Sequence, residues 1–288
     1  MQEKLIDQTG AFIKIESQLH YLKHRTRTFL SMTPTFSTSP VRTFAITAAL
    51  CLAALPAFGG QRKFAYSYEA TTSPKGAVEF ENYATWAHGR ADGQRFNTFA
   101  FRHELEFGIT DHLQLSLYLA DWSYNDSDPQ KHLRYEHSAI EAIYNLTNPT
   151  TDFLGSAVYL EVAGAKDLLE IEGKLLLQKN IGPVTLAYNA AIEGQWEGVH
   201  LSDERNGEFS ETLGVSVELN RTFSVGAELL HEIDIPNWER AEDSIVFAGP
   251  NASVRFGRAY ATAACLFQLT DVAGEPDVQT RLIFGFSF

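Results

Sequence analysis

The chain has 288 residues, with 36 Asp/Glu against 23 Lys/Arg and a formal net charge of −13. That acidity argues against nucleic acid as a partner, because phosphate backbones are met with a basic face. No apolar run reaches the roughly 18 residues of a membrane-spanning helix, and two cysteines leave little scope for a disulfide or Cys-based metal framework.

Residues 1–31 carry Lys4, Lys14, Lys23, Arg25 and Arg27 and show only weak helical periodicity. Met32 is the only other methionine and lies shortly before an apolar run. It is therefore the expected start, with 1–31 an upstream extension; an unusually long leader is the alternative. Phe44–Leu55 (FAITAALCLAAL) follows Arg42 and precedes Pro56-Ala57-Phe58-Gly59. A basic residue, an apolar core and small residues at the cut form a secretory signal peptide. Residues 32–59 are thus expected to direct export through the Sec pathway, against the alternative of a retained anchor. Residues 1–59 hold six Lys/Arg and three Asp/Glu, so their loss leaves a net charge of −16. Cys51 falls in the leader behind Leu50, where lipidation wants a small residue, so no lipid anchor is expected. Cys265 is then the sole cysteine. Residues 60–76 are expected to form an N-terminal segment on the periplasmic side.

From residue 77 onward one pattern recurs: about ten residues of apolar–polar alternation, then a turn. Twelve such strands are expected, at about 77–88, 96–107, 113–122, 134–146, 156–163, 170–179, 184–196, 208–220, 223–233, 244–255, 258–269 and 278–288. The third sets Leu113, Leu115, Leu117 and Leu119 against Gln114, Ser116, Tyr118 and Ala120. In the seventh, Val184, Leu186, Tyr188, Ala190, Ile192 and Trp196 oppose Thr185, Asn189, Glu193 and Gln195. Short turns such as 180–183, 220–222 and 256–257 alternate with longer polar links such as 122–133, 197–207 and 234–243. An even strand number with alternating short and long connections is the pattern of a transmembrane barrel. The expected fold is all-β: a 12-stranded antiparallel transmembrane β-barrel of outer-membrane type, over residues 77–288. A soluble β-sandwich is the competing reading. Aromatics near strand ends (Trp86, Trp122, Tyr124, Tyr144, Trp196, Trp238, Phe256, Phe288) fit an interfacial girdle.

The last strand, VQTRLIFGFSF, puts Val278, Thr280, Leu282, Phe284, Phe286 and Phe288 on one face and Gln279, Arg281, Ile283, Gly285 and Ser287 on the other. It resembles the closing strand of bacterial outer-membrane barrels, which implies that Phe288 is an assembly signal read by the barrel-assembly machinery. Its phase serves as a reference for the others. A charge on the lipid face costs about 2–4 kcal/mol for Arg or Lys near the midplane, so the charged rows face the lumen. The expected lumen-lining residues are Arg102, Glu104, Glu106, Glu141, Glu161, Glu172, Lys174, Glu193, Glu218, Glu228, Arg255 and Arg281, with Glu79, Glu81, Glu170 and Glu232 in the same phase. Either these charges pair across the lumen and close it, or they line a narrow water-filled path for cations or polar solutes. The acidic external loops are expected to be a solvated face, with divalent-cation bridging to lipopolysaccharide as the alternative.

Two loop clusters offer catalytic alternatives. Twelve-strand outer-membrane phospholipases carry an outward His-x-Ser pair with an Asn beside it; here His200-Leu201-Ser202, with Asn206 nearby, lies in an expected loop. Asp126, Asp128 and His132 sit where an outer-membrane protease would need them, as solvated loop charge also would. His103 falls on the expected lipid face between Phe101 and Leu105 and reads as a neutral interfacial imidazole. No zinc motif, phosphate loop or nucleophile elbow is present. No catalytic residue, metal or cofactor is therefore expected.

One region carries a resemblance. Glu106-Phe107-Gly108-Ile109-Thr110-Asp111-His112-Leu113-Gln114-Leu115, then Glu141–Pro149 (EAIYNLTNP), Gly155, the strand Val158-Tyr159-Leu160-Glu161, and Glu170–Lys179 (EIEGKLLLQK) resemble the outer-membrane barrels grouped as phenol-degradation meta-pathway proteins. The resemblance covers about 77–288. It implies passive uptake of a small hydrophobic or aromatic solute. The expected function is a passive channel or transporter in a Gram-negative outer membrane. A structural or surface-interaction barrel closed by its own salt bridges is the alternative, and a membrane hydrolase the third reading.

Overall fold

The computed structural model describes residues 62–91, 94–127, 130–201 and 203–288. The expected extension and signal peptide lie outside them. Thirteen strands follow in chain order: β1 (Val78–Ala91), β2 (Gln94–Gly108), β3 (Leu113–Ser127), β4 (Gln130–Tyr135), β5 (Ser138–Thr147), β6 (Gly155–Ala165), β7 (Leu168–Ile181), β8 (Val184–Glu197), β9 (Glu204–Glu218), β10 (Phe223–Pro236), β11 (Ile245–Phe256), β12 (Ala259–Gln268) and β13 (Val278–Ser287). Sequential strands pair antiparallel, except that β4 and β5 both pair with β3. They are two halves of one wall strand. The gap between them, at Glu136 and His137, is bridged by the Asp121 main chain, which donates to His137 O and accepts from Glu136 N. β13 closes onto β1 from Glu79↔Ser287 to His88↔Val278. The result is a closed barrel of twelve wall strands with no open edge, as the alternation predicted.

Alternation is also why the barrel is inside-out relative to a soluble protein. On β5 and β6, Ile140 and Leu160 are 59% and 51% exposed, while Glu141 and Glu161 are 1% and 6% exposed. A wall with carboxylates within and leucines without suits hydrocarbon outside and water or polar groups inside. Several links expected to be loops are instead ladder: β2 and β3 run to fifteen residues each, because paired strands satisfy their main chain as well in water as in lipid. Inside, β10–β13 also present an apolar patch of Leu230, Ile245, Phe247, Leu266 and Ile283. Pro250, which has no N–H to donate, sits where the β11–β12 ladder lapses between Ala248↔Phe267 and Asn251↔Ala264.

Candidate functional site

Of the segment expected on the periplasmic side, residues 62–70 run inside the barrel, and residues 74–76 lie exposed at its short-turn end. The reason is a match of chemistry. The segment has no strand alternation, so its N–H and C=O groups need partners that the inward side chains provide. At the short-turn end, Gly76 N–H donates to Gly108 O (2.7 Å) and Ser73 N–H to Gln114 Oε1 (2.9 Å). Ala70 N–H donates to Gln178 Oε1 (2.8 Å) and Tyr68 N–H to Asn189 Oδ1 (2.6 Å). The three consecutive N–H groups of Ala65, Tyr66 and Ser67 all donate to the Glu228 carboxylate, at 2.7, 2.8 and 2.8 Å. Glu228 is the sixth residue of β10, so the segment rises well into the lumen before turning back. Arg62 O then accepts from Ser253 and Thr262, and Lys63 Nζ reaches Thr185 Oγ1 (2.8 Å) and Glu218 (3.7 Å).

The same segment caps the inward apolar patch. Ala65 and Tyr66 pack against Leu230, Phe247, Leu266 and Ile283, and Ala70 joins Ile143, Tyr159 and Leu176. Phe64 is fully buried, its ring lying over Gly214, where an added Cβ would come within 2.6 Å of it.

The charged residues named from the sequence come together around this insert. Arg102, on β2, reaches across two wall strands to Glu161 on β6 (3.2 Å), binds Asp121 (2.6 Å) and covers the Tyr118 ring. Glu141 accepts from Tyr118 and Ser116, and Glu161 from Tyr159 (2.5 Å). Lys174 pairs with Glu172 (2.9 Å) and lies over the Tyr68 and Tyr159 rings. Glu104 accepts from Tyr83 (2.8 Å), and Glu106 from Ser73 (3.2 Å). Arg281 donates to Thr85 Oγ1 and lies over Tyr66. Glu193 is half-buried opposite Glu172. Glu218 and Arg255 sit at the short-turn end, Arg255 two residues from Ser253 on its face.

What pattern reading missed is the partners: the tyrosine collar of Tyr68, Tyr83, Tyr118 and Tyr159, and His137, which bridges Asp121 (3.1 Å) and Glu170 (3.2 Å). Tyr118 was legible by phase. His137 lies in the break between β4 and β5, where alternation gives no phase.

The registry reveals an arrangement that no single strand shows. Glu141↔Glu161, Glu161↔Glu172, Glu172↔Glu193, Glu193↔Glu208 and Glu208↔Asp234 are directly opposed pairs on successive strands. Six carboxylates therefore form one row around half of the barrel. Like charges directly opposite are destabilising, so the row persists against a cost that Arg102 and Lys174 only partly offset. Among the described residues, Glu79, Glu81 and Glu106 also have carboxylate oxygens within 4.8 Å of one another. Protein donors already engage each of them: Ser287, Arg62 and Tyr83, and Ser73. A cavity of about 260 Å³ lies between this group and the insert, lined by Arg62, Tyr68 and Glu69 among others.

Ser202 and Asp128 lie outside the described residues; His200 is in a turn, and His132 is on β4 opposite Asn125. His103 is held by Asn82 Oδ1 (2.8 Å) and the Trp122 indole N–H (3.1 Å); no hydroxyl bonds it among the described residues.

The fold is similar to that of a COG4313 outer membrane channel from Pseudomonas putida F1, at a TM-score of 0.55 and 15% identity, covering 76% of this chain and 98% of that one. It is also similar to the translocator domain of the autotransporter NalP from Neisseria meningitidis, at 0.50 and 12%, covering 86% and 97%. No curated protein matches the chain. The family whose model matches, over residues 56–280, is DUF6662, a family of unknown function.

Proposed function

We propose that this chain, which belongs to the DUF6662 family, is a narrow passive channel of the bacterial outer membrane with a preference for cationic or polar solutes. The observation that carries the reading is the row of six opposed carboxylates from Glu141 to Asp234. Acidic side chains lining a low-dielectric wall attract cations and disfavour anions. The insert supports it too. Residues 62–73 join no strand ladder and are held by side chains acting on main chain, so the segment can leave without breaking the wall. The finer expectation of a hydrophobic or aromatic solute rests on the meta-pathway resemblance. Export through a signal peptide, recognition of Phe288 during assembly and contact with lipopolysaccharide belong to the same proposal.

Planar-bilayer recording tests it. The folded protein is expected to give small cation-preferring openings, and removal of 62–70 to enlarge them. Glu172→Gln with Glu193→Gln should move the reversal potential toward that of a non-selective pore. The second reading, a structural barrel closed by its own contacts, is favoured by the ion pairs and the insert that fill the short-turn half. No openings in either the whole or the truncated protein would sink the channel and leave that reading.

A further inference from the structure

The outer wall carries a polar relay that channel function does not use. Glu211 on β9 and His231 on β10 are cross-strand partners. They share the outward phase of Leu213 and Val215, which are exposed, whereas Glu228 and Leu230 are buried within. Ser244 lies just before β11, two residues from Val246, the partner of His231, and it is exposed. His231 Nε2 is 3.2 Å from Ser244 Oγ, and Nδ1 is 3.2 Å from Glu211 Oε2. The other oxygen of that carboxylate accepts from the Tyr188 hydroxyl on β8. A hydroxyl on one ring nitrogen and a carboxylate on the other is the arrangement of a nucleophile, its base and the group that orients the base.

We propose that Ser244, His231 and Glu211 form an acyl-ester hydrolase site on the lipid-facing surface, acting on the fatty-acyl esters of membrane lipids. Depth supports the substrate. Ser244 stands at the long-loop rim, and Trp238 lies over Gly194 and Gly207 at that rim, with Gly207 opposite Ile235. Interfacial tryptophans mark the headgroup level, and acyl esters sit at the boundary just beneath it. The exposed Leu213, Phe267 and Leu269 give acyl chains an apolar surface. If the relay only insulated Glu211, His231 and Tyr188 would suffice, and an exposed serine aligned on the far ring nitrogen would have no purpose.

The steps balance without a cofactor. Ser244 Oγ attacks the ester carbonyl carbon as its proton passes to His231 Nε2. The ester C–O bond then breaks, and the leaving alkoxide takes that proton. Water, deprotonated by the same nitrogen, attacks the acyl-serine; fatty acid departs and Ser244 regains its proton. Glu211 is a positioning residue: it holds Nδ1–H and steadies the imidazolium.

The test uses the folded full-length chain in vesicles of phosphatidylethanolamine and phosphatidylglycerol, with a fluorophosphonate probe as a second readout. Fatty-acid release and labelling at Ser244 are expected. Ser244→Ala and His231→Asn should each lower release by about 10³-fold or more, and Ser244→Ala should abolish labelling. Glu211→Gln should lower kcat about 10-fold or more per folded molecule, the folded amount being read from heat-modifiable migration, and Glu211→Asp should recover part of it. Bilayer conductance should be the same in all four variants, which separates this proposal from the channel reading. Absence of both release and labelling in wild-type protein that retains heat-modifiable migration would overturn it, as would labelling that survives Ser244→Ala.

Discussion

Glu228 is the residue on which the lumen insert turns. Its carboxylate takes three consecutive main-chain N–H groups and the Asn251 side-chain amide (2.9 Å). Hydrogen bonds to a charged group contribute about 1.5–3 kcal/mol each, and their loss strands buried donors. Glu228→Ala is therefore expected to unseat residues 64–68, seen as new protease cleavage there while the barrel stays intact. Gly214 works by absence: no side chain stands where the Phe64 ring rests. Gly214→Leu should expel that ring and enlarge conductance, with single-channel amplitude as the measure; an unchanged amplitude would mean that Phe64 does not limit the path. Phase alone leads to the expectation that Glu228 points inward. Its main-chain donors lie more than 160 residues away along the chain, and no spacing rule reaches that far. Glu211 and His231 were missed for a related reason: each sits singly on its own strand, and only the ladder sets them side by side.

At the scale of a strand, period two decides nearly everything. β13 carries Arg281 inward, bonded to Thr85, and Leu282 outward and exposed. Leu282→Arg is expected to destabilise the barrel in lipid by about 2–4 kcal/mol, as charge at mid-depth on the lipid face does; reversible urea unfolding in lipid vesicles would measure it. A similar cost for Arg281→Leu would show instead that the inward guanidinium stabilises the fold through its contacts with Thr85 and Tyr66. Where strands depart from alternation, period two assigns no face. The β2–β3 ladder shifts at His103/Glu104, and the fourth wall strand divides at Glu136 and His137. Both irregularities fall around Asp121, whose side chain collects Arg102 and His137. The local order is traded there for a cross-lumen ion-pair cluster.

The described residues form a closed ladder with a separate insert, and the two should come apart in experiment. Closure rests on β1–β13, from Glu79↔Ser287 to His88↔Val278, while residues 62–73 join no ladder. A chain lacking 62–76 is expected to keep heat-modifiable migration on gels. It should unfold at lower denaturant, because Leu230, Phe247, Leu266 and Ile283 lose the Ala65 and Tyr66 cover and apolar burial stabilises by roughly 25 cal/mol per Å². Loss of heat-modifiability would show that the insert is part of the folding core.

By itself the sequence determined the architecture: twelve antiparallel wall strands and the alternation within them. This is because each inward or outward choice in a lipid-immersed wall is made locally, residue by residue, by the cost of a charge in hydrocarbon. Only the tertiary structure decided what fills the lumen and what assembles across strands. The course of 62–76 depends on side chains from around the barrel. The six-carboxylate row and the Ser244–His231–Glu211 relay depend on registry between strands, which period-two patterning leaves free by any even number of residues.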